Sequence, residues 1–156
     1  MNDDIMPKDD RRAAVLLVGA PASGKSTWGK KFAEKVGATY ISTDGIRAEI
    51  GKGEGDQTVS PAAFEIARER MKRALSNGKH VVIDATNIDG DSRRPFVKIA
   101  RDFDAYKVAV TFEVSRDELL KRDAQRERHV GPEVIDRMLS KYKRPSTTNF
   151  DKVIVK

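Results

Sequence analysis

The stretch Ala13-Ala14-Val15-Leu16-Leu17-Val18-Gly19-Ala20-Pro21-Ala22-Ser23-Gly24-Lys25-Ser26-Thr27-Trp28 decides the fold. Its first six residues are apolar without alternation, as expected of a strand covered on both faces. Gly19 to Ser26 then satisfies G-x-x-x-x-G-K-[ST] without a gap, between a strand and a helix, which is the context that motif requires. Gly19 and Gly24 let the backbone turn tightly and approach a phosphate, and the N–H groups around Ala22 and Ser23 form an inward-facing nest. The positive end of the following helix, with Thr27 in its first turn, adds to the attraction. Lys25 then reaches the β- and γ-phosphates of a nucleotide, and the Ser26 hydroxyl ligates Mg²⁺.

Outward from this core the same alternation repeats. Helical spacing of Trp28, Phe32, Ala33 and Val36 predicts a helix over Lys25–Val36 that Gly37 ends. Strands are expected at 39–41, 80–84, 106–114 and 153–155, with helices at 44–50, 61–76, 92–103, 115–126 and from Pro132 onward. Residues 51–58, with three glycines, read as a mobile loop, and Ser60-Pro61 as a helix N-cap followed by a first-turn proline. Strands alternating with helices predict an α/β domain with a mainly parallel sheet, because parallel neighbours need crossover connections. Ligands of such sheets sit beyond the C-terminal ends of the strands, so the residues that follow each strand are the candidates for chemistry.

Composition sets the outer limits. The 156 residues carry 30 Lys+Arg against 24 Asp+Glu, a net +6, and no cysteine. One domain over 13–156 is expected behind a polar tail over 1–12 that lacks the apolar stretch of a secretory signal. The longest apolar run, 13–20, is far short of the roughly 20 residues a membrane helix needs, so no membrane association is expected. Lack of cysteine excludes a disulfide framework, thiolate zinc sites and a cysteine nucleophile, and fits a cytoplasmic location. Two histidines leave little for a histidine-rich metal site. The positive balance permits a polyanionic partner, although most basic residues have acidic neighbours.

Three further groups carry candidate chemistry. Val81-Val82-Ile83-Asp84 is an apolar strand ending in a carboxylate, placed to hold Mg²⁺, its water or the Ser26 hydroxyl; a turn or capping Asp is the alternative. Asp44 and Arg47 follow the second strand three residues apart, so both side chains project over one helical face. An Asp there can take the proton of an acceptor hydroxyl, and the Arg can clamp a phosphate; an N-cap Asp beside a solvated Arg fits the spacing equally. Arg122 and Arg126 lie four apart, with Arg128 just beyond and Asp123 and Glu127 available as their partners. Trp28 reads as core, His129 as surface, and Arg93-Arg94 either as a solvated face or as a track for phosphates.

The block Gly19 to Trp28, then Ser42-Thr43-Asp44-Gly45-Ile46-Arg47, then Asp84-Ala85-Thr86-Asn87, then the arginine-rich helix, resembles the P-loop polynucleotide 5′-hydroxyl kinases, in family order over residues 15–144. The resemblance implies a P-loop kinase fold: a five-stranded parallel sheet in the order 2-3-1-4-5, helices on both faces and a small lid near 126–132. It implies transfer of the ATP γ-phosphoryl to a 5′-OH end of DNA or RNA. Asp44 is then the general base, with Arg47 on an acceptor-side or transferring phosphate and Lys25 on the donor. Ser26 and Asp84 form the metal site. Arg126, with Arg122 second, is the lid arginine that stabilises charge on the moving phosphoryl. Lys143-Arg144-Pro145 would border the adenine. A hydroxymethyl group on a modified DNA base, or a small-molecule hydroxyl, demands the same residues. A nucleotide-binding switch or ATPase is the alternative of another class, disfavoured by the absence of an Asn-Lys-x-Asp motif and by the position of Asp44.

Overall fold

A computed structural model describes residues 5–156 of the chain. The apolar run Ala13–Val18 forms β1, and all six of its residues are buried. It is followed by α1 (Lys25–Val36), β2 (Thr39–Ser42), α2 (Thr43–Ile50), α3 (Ser60–Ser76), β3 (Val81–Asp84), α4 (Gly90–Asp102), β4 (Tyr106–Thr111), α5 (Arg116–Ala124), α6 (Pro132–Lys141) and β5 (Lys152–Val155). The strands form one sheet in the order β2-β3-β1-β4-β5, every neighbouring pair parallel, as the family resemblance implies.

β1 is central because both of its faces are apolar. Ala14 and Leu16 join a core with Ile46 of α2, Met71 and Leu75 of α3, and Phe96 and Ile99 of α4. Ala13, Val15 and Leu17 point the other way, onto Phe32 and Ala33 of α1. This is the period of two that a strand imposes. Burying a side chain as completely as Leu16 or Leu17 contributes about 1.5–3 kcal/mol. A third, smaller cluster joins Ala20 of the loop after β1 to Leu119 of α5 and Ile135 of α6, which fixes the last two helices over that loop. Gly29 lets α1 lie against β1: a Cβ there would stand 2.4 Å from Leu17 Cδ1.

The structure departs from the expected boundaries for local reasons. Residues 51–58 are tied down, since Asp56 accepts from the N–H groups of Lys52 and Thr58 at 2.9 and 3.1 Å, before a 3₁₀ turn at Gln57–Val59. Ser60 lies inside α3 and bonds Gln57 Oε1 at 2.8 Å, so it is no N-cap. β4 stops at Thr111, three residues early, and α5 at Ala124. Of the expected polar tail, residues 1–4 lie outside the described residues, and Ile5 is buried with the α1-side core. Among the described residues, no helix is long and apolar enough to cross a membrane.

Candidate active site

The register of the sheet assembles the site. Asp84 at the end of β3 stands opposite Leu17 of β1 on one side and Ser42 of β2 on the other. The loop after β1, the start of α2 and the end of β3 therefore open into one cavity of about 600 Å³. Its walls include Ala22, Ser23, Gly24, Lys25, Ser26, Thr27, Asp44, Arg47, Asp84, Arg122 and Arg126, so most of the residues singled out in the sequence meet in one place. Gly19 does not line the cavity; it shapes the loop from behind, where a Cβ would come within 2.8 Å of Ser23 Oγ. Its N–H donates to the Thr86 carbonyl at 2.9 Å, which joins the loop to the segment after β3.

The loop itself is built for an anion. Gly24 takes φ of 89° and Ala22 a φ of 69°, left-handed values that cost a residue with a Cβ about 1–2 kcal/mol. This conformation ends directly in the first turn of α1, whose N-terminus no side chain caps. Lys25 is 8% exposed; burial pushes its pKa down, Asp84 resists that shift, and the charge of Arg126 adds to it. Lys25 Nζ lies 3.9 Å from Asp84 Oδ1. On the other carboxylate oxygen, Asp84 accepts Ser26 Oγ at 2.6 Å and the Tyr40 hydroxyl. Tyr40 is thus a functional residue that sequence reasoning missed: burial first, then the Asp84 bond and charge, push its pKa up. Its signal is alternation, since residues 40 and 42 share one face of β2 and residue 42 pairs with Asp84.

Ser26 and Asp84 offer a hydroxyl and a carboxylate side by side, hard oxygen donors that suit Mg²⁺. Among the described residues no cluster of three acidic or histidine side chains exists to cage an ion. Two protein oxygens with water and nucleotide phosphates making up the remainder is the usual way Mg²⁺ is held.

Ser42 caps α2 by accepting from Gly45 N–H at 3.1 Å, which leaves Asp44 free of any capping role. Arg47 donates to Asp44 from Nη2 and to the Glu54 carbonyl from Nε at 2.7 Å. Arg47 is therefore buried, not solvated, and burial, then the charge of Arg128, push its pKa down. Arg128 approaches the other Asp44 oxygen at 3.8 Å and Glu54 Oε1 at 3.6 Å, so the loop after α5 reaches the start of α2.

Because α5 ends at Ala124, Arg126 reaches the cavity from a turn and does not share a helical face with Arg122. Arg122 donates to the Ser23 carbonyl at 3.3 Å and to Glu118 at 2.8 Å. The turn is held by Asp123, another residue the sequence left as a surface partner. It is 3% exposed and accepts the N–H groups of Val130 and Gly131 at 3.0 and 2.9 Å. Burial pushes its pKa up, but those bonds and Arg126 outweigh it and hold the carboxyl below its ordinary value. Three buried donors at this cavity have no hydrogen-bond partner: Ser23 Oγ, Arg126 Nη1 and Arg128 Nε. Arg126 Nη1 and Arg128 Nε have only long ion pairs there, to Asp123 Oδ1 at 3.8 Å and Glu54 Oε1 at 3.6 Å, so an acceptor supplied by a ligand would complete them.

Other candidates resolve differently. Trp28 is half-buried, stacked on Phe32 with rings 4.9 Å apart and edge-on to Phe112, in keeping with a packing role. His129 is exposed, its Nδ1 2.9 Å from the Arg126 carbonyl. Arg93 does not lie on a solvated face: it is 5% exposed and donates to the carbonyls of Asn87, Ile88 and Lys143. Lys143 and Arg144 do not line the nucleotide cavity, and Arg144 forms a two-pronged pair with Glu113.

Sheet order, phosphate loop and converging lid arginines define a P-loop kinase domain. The chain belongs to the AAA domain family, which matches residues 15–145. It is 30% identical over 140 residues to L-seryl-tRNA(Sec) kinase of Methanococcus maripaludis, covering 85% of this chain and 53% of the relative. It is 27% identical over 114 residues to a protein of Acanthamoeba polyphaga mimivirus named as a bifunctional polynucleotide phosphatase/kinase, covering 73% of this chain and 24% of that one. The chain thus spans about half the length of the first relative and about a quarter of the second. A crystal structure from Chloroflexus aurantiacus, named as a kinase, superposes with a TM-score of 0.75 at 17% identity, covering 94% of this chain and 85% of that one.

Proposed function

We propose that this chain is an ATP-dependent kinase that moves the γ-phosphoryl group of ATP onto a hydroxyl of nucleic acid, the 5′-OH end of DNA or RNA. The observation that carries the reading is one cavity with donors for phosphate on one wall and Asp44 on another, with Arg126 Nη1 among them lacking a hydrogen bond and held only by a 3.8 Å ion pair to Asp123. A phosphate acceptor needs no base, whereas an alcohol does, and Asp44 is the carboxylate placed to serve. The names of two relatives add support, since one is named as a kinase of L-seryl-tRNA(Sec) and the other as a polynucleotide phosphatase/kinase.

In this mechanism the loop amides and Lys25 hold the β- and γ-phosphates, and Arg122 braces the loop through the Ser23 carbonyl. Mg²⁺, held through Ser26 and Asp84, would neutralise phosphate charge when bound. Asp44 takes the proton of the acceptor hydroxyl as its oxygen bonds to the γ-phosphorus. The bond to the β,γ-bridging oxygen breaks in line, and ADP leaves. Arg126 meets the charge that spreads over the transferred oxygens, and Arg47 orients Asp44 and an acceptor phosphate.

Label transfer from γ-labelled ATP tests the proposal, with oligonucleotides bearing a 5′-OH, a 5′-phosphate, or hydroxymethylated bases with blocked ends. Label on the first alone is expected. Label on the third moves the acceptor to a base, and label on none removes nucleic acid as the acceptor. Lys25→Ala must abolish whatever transfer occurs.

A further inference from the structure

A second cavity of about 450 Å³ lies between α4 and the segment that joins α6 to β5. Its charged lining is entirely basic: Arg93, Arg94 and Arg101 from α4, with Lys143 and Arg144 from the joining segment. We infer that this groove grips the sugar-phosphate backbone of a nucleic-acid strand whose end occupies the active site; the inference rests on the reading proposed above.

The groove is anchored from within. The Arg93 guanidinium staples its two walls by donating to the Asn87 and Ile88 carbonyls, at 2.6 and 3.1 Å, and to that of Lys143. Lys143 N–H returns a bond to the Ile88 carbonyl at 2.9 Å. Arg101 and Lys143 make no ion pair among the described residues. Arg94 and Arg144 are paired to Asp91 and Glu113, yet both arginine side chains are at least 60% exposed. The exposed Arg94–Asp91 pair is worth about 0–1 kcal/mol, so a phosphate can replace that carboxylate, whereas Arg144 keeps its two-pronged pair and offers its exposed face.

Length argues for a strand over a single small anion. Arg93 and Arg101 are eight residues apart on α4, about 12 Å along its axis. One phosphate cannot bridge that distance, whereas successive phosphates of a strand can. The groove also lies close to the active site. Thr86 lines the first cavity and Gly90 the second, a separation of at most about 14 Å of extended chain. On the opposite wall, Met138 lines the first cavity and Lys143 the second. A strand leaving the active site past the end of α6 arrives at Lys143.

The test uses the exposed pair Arg101→Ala/Lys143→Ala, which spares Arg93 and the catalytic residues. Binding of a fluorescent, 5′-phosphorylated single strand, which cannot be phosphorylated again, is measured by anisotropy against salt. Loss of two phosphate contacts lowers the salt slope by about 1.4, so between 50 and 200 mM salt wild-type affinity should fall about sevenfold more than that of the variant. In label transfer, KM for a long 5′-OH oligonucleotide should rise with kcat unchanged. KM for a nucleoside 3′-phosphate, too short to reach the groove, should not move. Equal salt slopes, or an equal KM change on both acceptors, overturn the groove. If wild-type protein transfers label to 5′-OH ends and the variant matches it throughout, the groove falls and the proposed function stands. If wild-type transfers none but the variant alone loses strand binding, the acceptor falls and the groove stands. No strand binding by wild-type protein overturns the groove whatever the transfer result.

Discussion

Removing the Asp44 carboxylate separates chemistry from packing, because two substitutions differ in one and agree in the other. Asp44 accepts a hydrogen bond from Arg47 and lies 3.8 Å from Arg128. Asp44→Asn keeps an oxygen for Arg47, whereas Asp44→Ala leaves that guanidinium, on a side chain 10% exposed, with only the Glu54 carbonyl. Breaking a fully buried pair would cost about 3–5 kcal/mol, but the Asp44 side chain is 44% exposed and water takes over part of its role. We therefore expect Asp44→Ala to lose about 1 kcal/mol, or about 2–4 °C in Tm, and Asp44→Asn to melt close to wild type. In the proposed role of general base, Asp44 would supply about 10²- to 10⁴-fold, about 2.7–5.5 kcal/mol of barrier. Both variants should lose that full factor in kcat at saturating ATP while retaining nucleotide binding by calorimetry. Near-normal turnover by Asp44→Asn would refute the base assignment, and a rate loss confined to Asp44→Ala would make Asp44 a positioning residue for Arg47.

Further expectations follow from other contacts. Arg126→Ala should lower kcat about 10²- to 10³-fold with little change in acceptor KM if its Nη1, which has no hydrogen bond and only a 3.8 Å ion pair to Asp123, meets charge that exists only during transfer; a pure KM effect counts against this. The Asp123 pKa is lowered in the folded chain, so its contribution is complete above the unfolded value near 3.9 and disappears as pH falls through the folded one. Hydrogen exchange at Val130 and Gly131 should accordingly accelerate below about pH 4 in the wild type, and already at neutral pH in Asp123→Ala; unchanged protection in the variant would remove Asp123 as the lid anchor. Gly29→Ala should cost about 1–3 kcal/mol from the 2.4 Å approach to Leu17, and Leu17→Val in the same chain should recover part of it in thermal melts. Additive losses in the double variant would show that the two side chains do not collide.

What the sequence disclosed, and what it hid, divide along a physical line. β1 and its loop were legible because an unbroken apolar run and a fixed glycine spacing are local properties. Lys25 was legible from the same glycine motif, and Asp44 and Asp84 as residues at or just past strand ends, since parallel sheets gather ligands there. Tyr40, Asp123 and Arg93 were not. Their contacts are hydrogen bonds to Asp84, to the amides of Val130 and Gly131, and to carbonyls as far as fifty positions away, and no periodicity encodes such a contact. Arg93 is the clearest case: its neighbour Arg94 is the exposed arginine that the composition suggests, and one step around the helix reverses the environment. The end of α5 was misplaced for a related reason, since Asp123 captures the following amides and turns the chain out of the helix.

The level ends of β1, β3 and β2 make the sheet a ruler. Two inter-strand steps of about 4.8 Å set the strand that leads into the phosphate loop roughly 10 Å from the strand that leads into the helix bearing Asp44. That gauge is written in main-chain spacing, which no side-chain substitution can stretch. Change in what the cavity admits must therefore proceed through the rims, the turn after α2 and the loop after α5, while the distance between its walls is inherited unaltered.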